Sequence, residues 1–380
     1  MLTRRIGLGV VGCGGAATTL YEPAFRLLGN GRIVAAMDVD ESRARGFSET
    51  HGVPKHYTRL EDILRDEEVE AVVVLTPPHH HVEPVVKAAE HGKHVYCEKP
   101  FAPTIREADE MIEACRRNSV KLMVGFMKRF NRSFKLVKKL IDGGELGQVF
   151  ELRERWDNAR IWRMSEDQYR LKLYSGGGFL QEDGSHPLDV ARWWLGEVEE
   201  VNAYVDIVAP DRHETEDTAC VTLKHGGGAL STLHITMAAH TVGEESYEVF
   251  GTRGTLVMKW LYHSSRSPEP ALIHLHRGSR ETVDLTLGCS WNPLAELREN
   301  WQYLKELEHF CDCIIKDEEP ACKGEDGRAV VEIVNAAYLS AWRRERVRLP
   351  LRETPSFKEF FTRLRSENRW EISGDWVSWY

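Results

Sequence analysis

Positive charge, long apolar runs and patterned cysteine are what this 380-residue chain has little of. Its 50 Lys and Arg are outnumbered by 59 Asp and Glu, a formal net charge of −9 with His taken as neutral. A chain of that sign is a poor partner for nucleic acid or for an anionic membrane surface; only a local basic pocket would attract anions. No stretch approaches the ~20 apolar residues of a membrane-spanning helix. The apolar run after Arg4-Arg5, Ile6–Val11, is six residues long and stops in glycines, too short for a secretory or twin-arginine signal. The eight cysteines, at 13, 97, 115, 220, 289, 311, 313 and 322, share no spacing, the pattern of a reduced intracellular protein and not of a disulfide framework. Internal repeats and low-complexity segments are missing as well. With 42% hydrophobic and 29% charged residues, the chain is expected to be an untargeted cytoplasmic globular protein of two or three domains.

What is present is a rhythm. Through residue 125 short runs of Val, Ile, Leu and Ala (6–11, 33–37, 71–75, 94–97, 122–125) alternate with helix-length stretches (16–28, 42–51, 82–91, 105–118). That order predicts βαβ units around a parallel, doubly wound sheet. A further helix is expected over 132–140, closed by Gly143, Gly144 and Gly147. After Gly147 the pattern becomes mostly strands, with a helix opened by Gly176-Gly177-Gly178 and ending near Gly196. In 229–237, Leu233, Ile235 and Met237 alternate with Thr232, His234 and Thr236, so one face packs on helices and the other is open to solvent or to another subunit. Helices are expected over 300–316 and 326–343. Phe357, Phe360, Phe361 and Leu364 form an amphipathic stripe, and an aromatic tail with Trp370, Trp376, Trp379 and Tyr380 should dock. The expected division is an α/β domain over 1–147, an α+β domain with a large, mostly antiparallel open sheet over 148–350, and an extension over 351–380.

Chemistry concentrates in three places. Gly12, Gly14, Gly15, Ala16 and Ala17 form a G-x-G-x-x-A turn between the first strand and a helix. Such a turn lets backbone approach a pyrophosphate and presents helix N-terminal N–H groups to it. Asp38, 26 residues after Gly12, ends the second strand, where a carboxylate accepts from an adenosine ribose and repels a 2′-phosphate. That favours NAD over NADP, with Ser42 and Arg43 as the residues that would accommodate the alternative. Next, Thr76-Pro77-Pro78-His79-His80-His81 follows the fourth strand, at the ligand crevice of such a sheet. Three adjacent His in a loop diverge and have no Cys or carboxylate cluster beside them, so no metal site is expected. Lys99, between Glu98 and Pro100 at the end of the fifth strand, can reach the crevice or stay a solvated lysine paired with Glu98. Finally, a continuous helix from about Gly178 would put Glu182, His186 and Asp189 on one face, where a carboxylate tunes an imidazole as a general base; the alternative is a satisfied structural histidine.

In order and spacing these residues resemble the glucose–fructose oxidoreductase and inositol dehydrogenase family (Gfo/Idh/MocA). The resemblance spans residue 6 to about 350: the Gly12 turn, Thr76-Pro77 with His81, Glu98-Lys99-Pro100, Val124-Gly125-Phe126 with Arg129-Phe130, Gly184-x-His186-x-x-Asp189 and Gly251-x-x-Gly254-Thr255. It implies a Rossmann domain and an open-sheet domain, NAD(P)-dependent oxidation of a sugar or cyclitol hydroxyl or the reverse reduction, and homodimers or homotetramers. The family's lysine falls on Lys99 and its histidine on His186. Its usual Asp falls on Glu182, with Asp183 beside it, so either carboxylate can be the partner. Thr76, Pro77, His81, Glu98, Lys99 and Arg129 join the cofactor set, and Trp156, Asp157, Asn158, Tyr174 and Asp183 are candidates for the sugar or polyol substrate. Two other functions fit the same residues: an NAD-dependent glycosidase with transient C3 oxidation, and a nucleotide-and-sugar sensor without turnover. A sensor would not need Lys99 and His186 together.

Overall fold

The computed structural model describes residues 4–164, 168, 172–241, 243–261, 272–278, 281–287, 298, 301–352, 354 and 356–367. Two compact units divide the chain: Met1–Asn131 with Cys289–Ala329, and Arg132–Gly288 with Val330–Tyr380. The helix Arg132–Asp142, expected as the last element before a border at Gly147, groups with the second unit. There its Phe134 sits 5.1 Å from Tyr247, 5.4 Å from Trp260 and 5.7 Å from Trp194, ring centre to ring centre. Aromatic burial of this kind outweighs sequence adjacency to the preceding strand.

In the first unit, β1 (Ile6–Val11), β2 (Gly31–Met37), β3 (Lys55–Tyr57), β4 (Ala71–Val74), β5 (His94–Cys97) and β6 (Leu122–Val124) form one parallel sheet in the order β3-β2-β1-β4-β5-β6. Every residue of β1 and β4 is buried, as expected for strands covered on both faces. Helix starts follow local chemistry. Asp40 caps Glu41–His51 by accepting from the Ser42 N–H at 2.9 Å, while Thr104 and Glu107 close a reciprocal capping box on Ile105–Arg117. The strand β3 and the helix Leu60–Leu64, three and five residues long, are too short to display a period in the sequence. The strand order reverses beside β1 and β4, which puts a ligand crevice outside their carboxyl ends.

In the second unit, β7 (Val149–Asp157), β8 (Val198–Asp206), β9 (Thr218–His225), β10 (Leu230–Thr236), β11 (Glu244–Gly251), β12 (Thr255–Leu261), β13 (Leu272–Arg277), β14 (Glu281–Asp284) and β15 (Val347–Arg348) form one sheet, ordered β14-β13-β12-β11-β7-β10-β9-β8-β15. Only the β7–β10 pair is parallel among the described pairs. The expected α/β Rossmann unit plus mostly antiparallel open sheet is therefore the fold. Leu233 and Ile235 of β10 and Ala219, Val221 and Leu223 of β9 are buried, while His234 and Cys220 face outward. The amphipathic stripe near the C-terminus is the helix Phe357–Ser366, whose Phe360 and Phe361 are buried. The aromatic tail from Trp370 to Tyr380 lies outside the described residues. No helix among the described residues is long and apolar enough to cross a membrane.

Candidate active site

Gly12 leaves β1 with φ +95°, and a Cβ there would lie 2.8 Å from the Thr76 nitrogen, so close passage of the two crevice loops requires glycine. Around Gly14 and Gly15, by contrast, added Cβ atoms would meet nothing within 4 Å. That open face, at a helix start whose first N–H groups have no intrahelical partner, fits a dinucleotide pyrophosphate. The expected single helix over 16–28 is two pieces. Ala16–Leu20, with buried Ala17, is a π-helical turn, and Glu22–Leu27 is α-helical. Asp38 is buried just past β2; its Oδ2 accepts from the Cys13 N–H at 2.9 Å and its Oδ1 from the Asp40 N–H at 3.0 Å. The carboxylate therefore braces the glycine turn, with lone pairs left for a ribose hydroxyl. Cys13 beside it is inert: burial first, then the Asp38 charge, pushes its thiol up to about 12.

Behind the opposite wall lies a buried polar cluster. Glu98 follows β5; its Oε1 accepts from the Tyr21 hydroxyl at 3.0 Å and its Oε2 from the Lys99 N–H. The Tyr21 oxygen also lies 2.7 Å from that of Tyr96 and 3.2 Å from Glu306 Oε1. Burial, then the Glu98 charge, drives the Glu306 carboxyl well above its usual range. Glu98 thus anchors the backbone at which Lys99 begins. His81 is fully buried, its ring nitrogens 2.8 Å from the Thr76 carbonyl and 3.1 Å from that of Phe101, so it staples the loops after β4 and β5 together. Pro77 leads into the Pro78–His80 turn. His79 is pushed down to about 4 by burial, then by His80 and His81. Arg129, also buried, donates to the Ala321 carbonyl at 3.1 Å and to Asp326 at 3.2 Å, tying the loop after β6 to the 321–326 segment.

In the second unit the expected continuous helix is broken. Phe179–Glu182 is one short helix and Ser185–Leu195 another, with Asp183 and Gly184 between them. The four-residue spacing from Glu182 to His186 therefore does not run along one helix, although His186 and Asp189 do share the second. Glu182, His186 and Asp189 are all buried. The imidazole of His186 stacks on Trp156, 6.2 Å between centres at 29°. Asp183 forms an ion pair with Arg160, a residue the sequence did not single out, and the Arg160 guanidinium lies 5.4 Å from the Phe179 ring centre. Asp157 pairs with Arg155. Asn158 Oδ1 accepts from the Arg160 N–H at 2.9 Å and so shapes the Arg160–Trp162 turn. Tyr174 is largely exposed. Trp156 also meets Phe179 edge-on at 6.3 Å, so Trp156, Arg160, Phe179, Asp183 and His186 are one connected group.

Sequence patterning gave no sign of Glu216. It is completely buried, and it receives three consecutive N–H groups at the start of the Phe179–Glu182 helix: Gly178 on Oε2 at 2.8 Å, Phe179 on its backbone carbonyl at 3.0 Å and Leu180 on Oε1 at 2.9 Å. A Cβ on residue 178 would come within 2.0 Å of the Glu216 carbonyl oxygen. The triple glycine was the available signal, since glycine marks places where something must come close; it did not say what. Burial pushes the Glu216 carboxyl up to about 7, held there against its hydrogen bonds from Tyr338, Leu180 and Gly178.

Comparison with known proteins matches residues 6–126 to an oxidoreductase family model with an NAD-binding Rossmann fold, and residues 134–257 to the GFO/IDH/MocA C-terminal domain. The chain is 30% identical to myo-inositol 2-dehydrogenase of Thermotoga maritima over 346 residues, 90% of this chain and 98% of that one. Among solved structures it is similar to an aldose-aldose oxidoreductase from Caulobacter crescentus complexed with glycerol (27% identity, TM-score 0.80, 91% and 100% of the two chains). It is also similar to the WlbA dehydrogenase from Bordetella pertussis in complex with NADH and UDP-GlcNAcA (25%, 0.77, 92% and 100%). A first unit built to take a dinucleotide and a relative matched along nearly its whole length lead to one conclusion: the chain belongs to the GFO/IDH/MocA family and is an NAD-binding oxidoreductase.

Proposed function

We propose that this oxidoreductase is an NAD-dependent dehydrogenase that oxidises a secondary hydroxyl of a sugar, sugar derivative or cyclitol, or runs the reverse reduction. NAD, when bound, accepts the hydride; Gly12, Gly14, Gly15, Ala16, Ala17 and Asp38 would hold it, with Thr76, Pro77 and Lys99 beside it. His186 takes the hydroxyl proton. Lys99 donates a hydrogen bond to the oxygen as negative charge develops there, the moment at which a preorganised donor contributes most. Glu182 orients His186 or holds a neighbouring hydroxyl, and Asp183 with Arg160 supplies an acceptor and a donor for the sugar's other groups. The observation that carries this is the buried imidazole of His186 lying against an indole, with carboxylates at 182, 183 and 189 around it in the chain. Sugar rings present apolar C–H faces with hydroxyl edges, which suits an aromatic wall bordered by charged groups.

The test is NADH formation at 340 nm across cyclitols, aldoses, uronates and glycosides. A polyol or sugar should give net NADH, and His186→Ala should lower kcat roughly 10²–10⁴-fold while NAD affinity is kept. Lys99→Met should act similarly, with some loss of NAD affinity. Near-normal turnover by His186→Ala would remove it as the base. Aglycone release without net NADH would favour the glycosidase, and binding without turnover the sensor.

A further inference from the structure

Beyond residue 350 the chain continues, within the second unit, into the helix Phe357–Ser366, outside both family-model matches. Its aromatic residues gather on Tyr338: that ring lies 5.9 Å from Phe357, 5.6 Å from Phe360 and 5.3 Å from Phe361, and Phe360 also stacks on Trp342 at 5.8 Å. Near its other end, Arg365 donates to the carbonyls of His213 at 3.2 Å and Pro210 at 3.4 Å, in the loop that leads into Glu216. The completely buried Tyr338 turns its hydroxyl the other way and donates to Glu216 Oε1 at 2.8 Å. A Cβ on residue 177 would be 2.4 Å from that hydroxyl oxygen. The glycine loop is therefore moulded to both Tyr338 and Glu216.

We propose that Tyr338 and Glu216 are positioning residues through which the C-terminal helix Phe357–Ser366 sets the 176–178 loop and the segment bearing Glu182 and His186. The consequence for catalysis rests on the reading of His186 as the base; the positioning itself does not. A buried carboxylate is tolerated only where donors surround it, and here the donors are the hydroxyl fixed by the C-terminal helix and the N–H groups of the catalytic segment. Removing the hydroxyl leaves Oε1 with the Leu180 N–H as its remaining donor among the described residues.

The experiment compares the full-length wild type with Tyr338→Phe, which keeps the ring, and with Arg365→Ala, which leaves the aromatic contacts in place. Hydrogen exchange by mass spectrometry reads the amides of 178–186, and NADH binding reads the first unit. Both variants should exchange roughly tenfold faster at 178–180, with Tm and NADH affinity close to wild type, because a local opening is made easier without global unfolding. With myo-inositol as the probe substrate, kcat should fall roughly three- to tenfold while KM for NAD stays within about twofold, the split expected when a reacting group is misplaced. Unchanged protection at 178–186 in both variants would overturn the proposal. So would faster exchange throughout the second unit with a lowered Tm, the mark of a merely structural role. If the wild type does not turn over myo-inositol, the exchange measurement decides alone, and the dehydrogenase assignment is judged separately on its own panel.

Discussion

At the scale of single residues, one completely buried carboxyl group, that of Glu216, ties several segments of the second unit together. Desolvation by burial lifts its folded-state pKa to about 7 although hydrogen bonds from Tyr338, Leu180 and Gly178 favour its charge. In the unfolded chain a glutamate titrates near its ordinary value. Below that value both states carry the proton. As pH rises from about 4.5 to about 7 the unfolded chain loses the proton while the folded chain keeps it, so stability falls over that window, and above it the contribution is constant. The total is about 3 kcal/mol by proton linkage. Denaturant melts at pH 5 and pH 7.5 should therefore differ less for Glu216→Gln than for the wild type, by about 2–3 kcal/mol. An equal difference in the two proteins would mean that Glu216 is ionised throughout.

At the scale of elements, the turn between β1 and the π-helical segment is braced by the end of β2. The Asp38 carboxylate accepts N–H groups from Cys13 and Asp40, and its charge stands where an adenosine ribose is expected. The substitution Asp38→Ala should weaken NAD roughly tenfold or more while NADP changes less, since a lost charge-assisted bond harms one and a removed repulsion helps the other. Titration of both nucleotides would show it. Equal losses for the two would leave Asp38 with the bracing role alone. In the same way the break at Asp183 and Gly184 re-aims His186 relative to Glu182, which no helical wheel drawn through the sequence could show.

At the scale of the whole molecule, the second sheet carries a polar, solvent-facing surface. Arg153, Arg155, His234, Glu244, Glu248 and Lys259 line a concavity on it, with both signs of charge interspersed. A surface carrying its own complement suits a two-fold partner, in which each residue meets its counterpart's opposite. We propose that copies of this chain associate through that face. Light scattering should give a multiple of 43.5 kDa across a wide concentration range; a mass near 43.5 kDa throughout would overturn it.

By itself the sequence determined the alternation of strand and helix in the first unit, the glycine turn, the buried and outer faces of β9 and β10, and the amphipathic helix after residue 350. Each is written in a local period of two or about three and a half residues, or in a glycine where backbone must turn, and needs no distant partner to be read. The family resemblance, through order and spacing, is what singled out Lys99 and His186 as candidates. Only the tertiary structure decided the rest. Residues 289–329 joined the first unit, His81 and Arg129 became staples between loops, Asp183 went to Arg160, and Glu216 reached across 38 positions to Gly178. These are contacts between polar groups far apart in the chain. Burial makes such contacts obligatory, and burial is a property of the fold that no local pattern of residues carries.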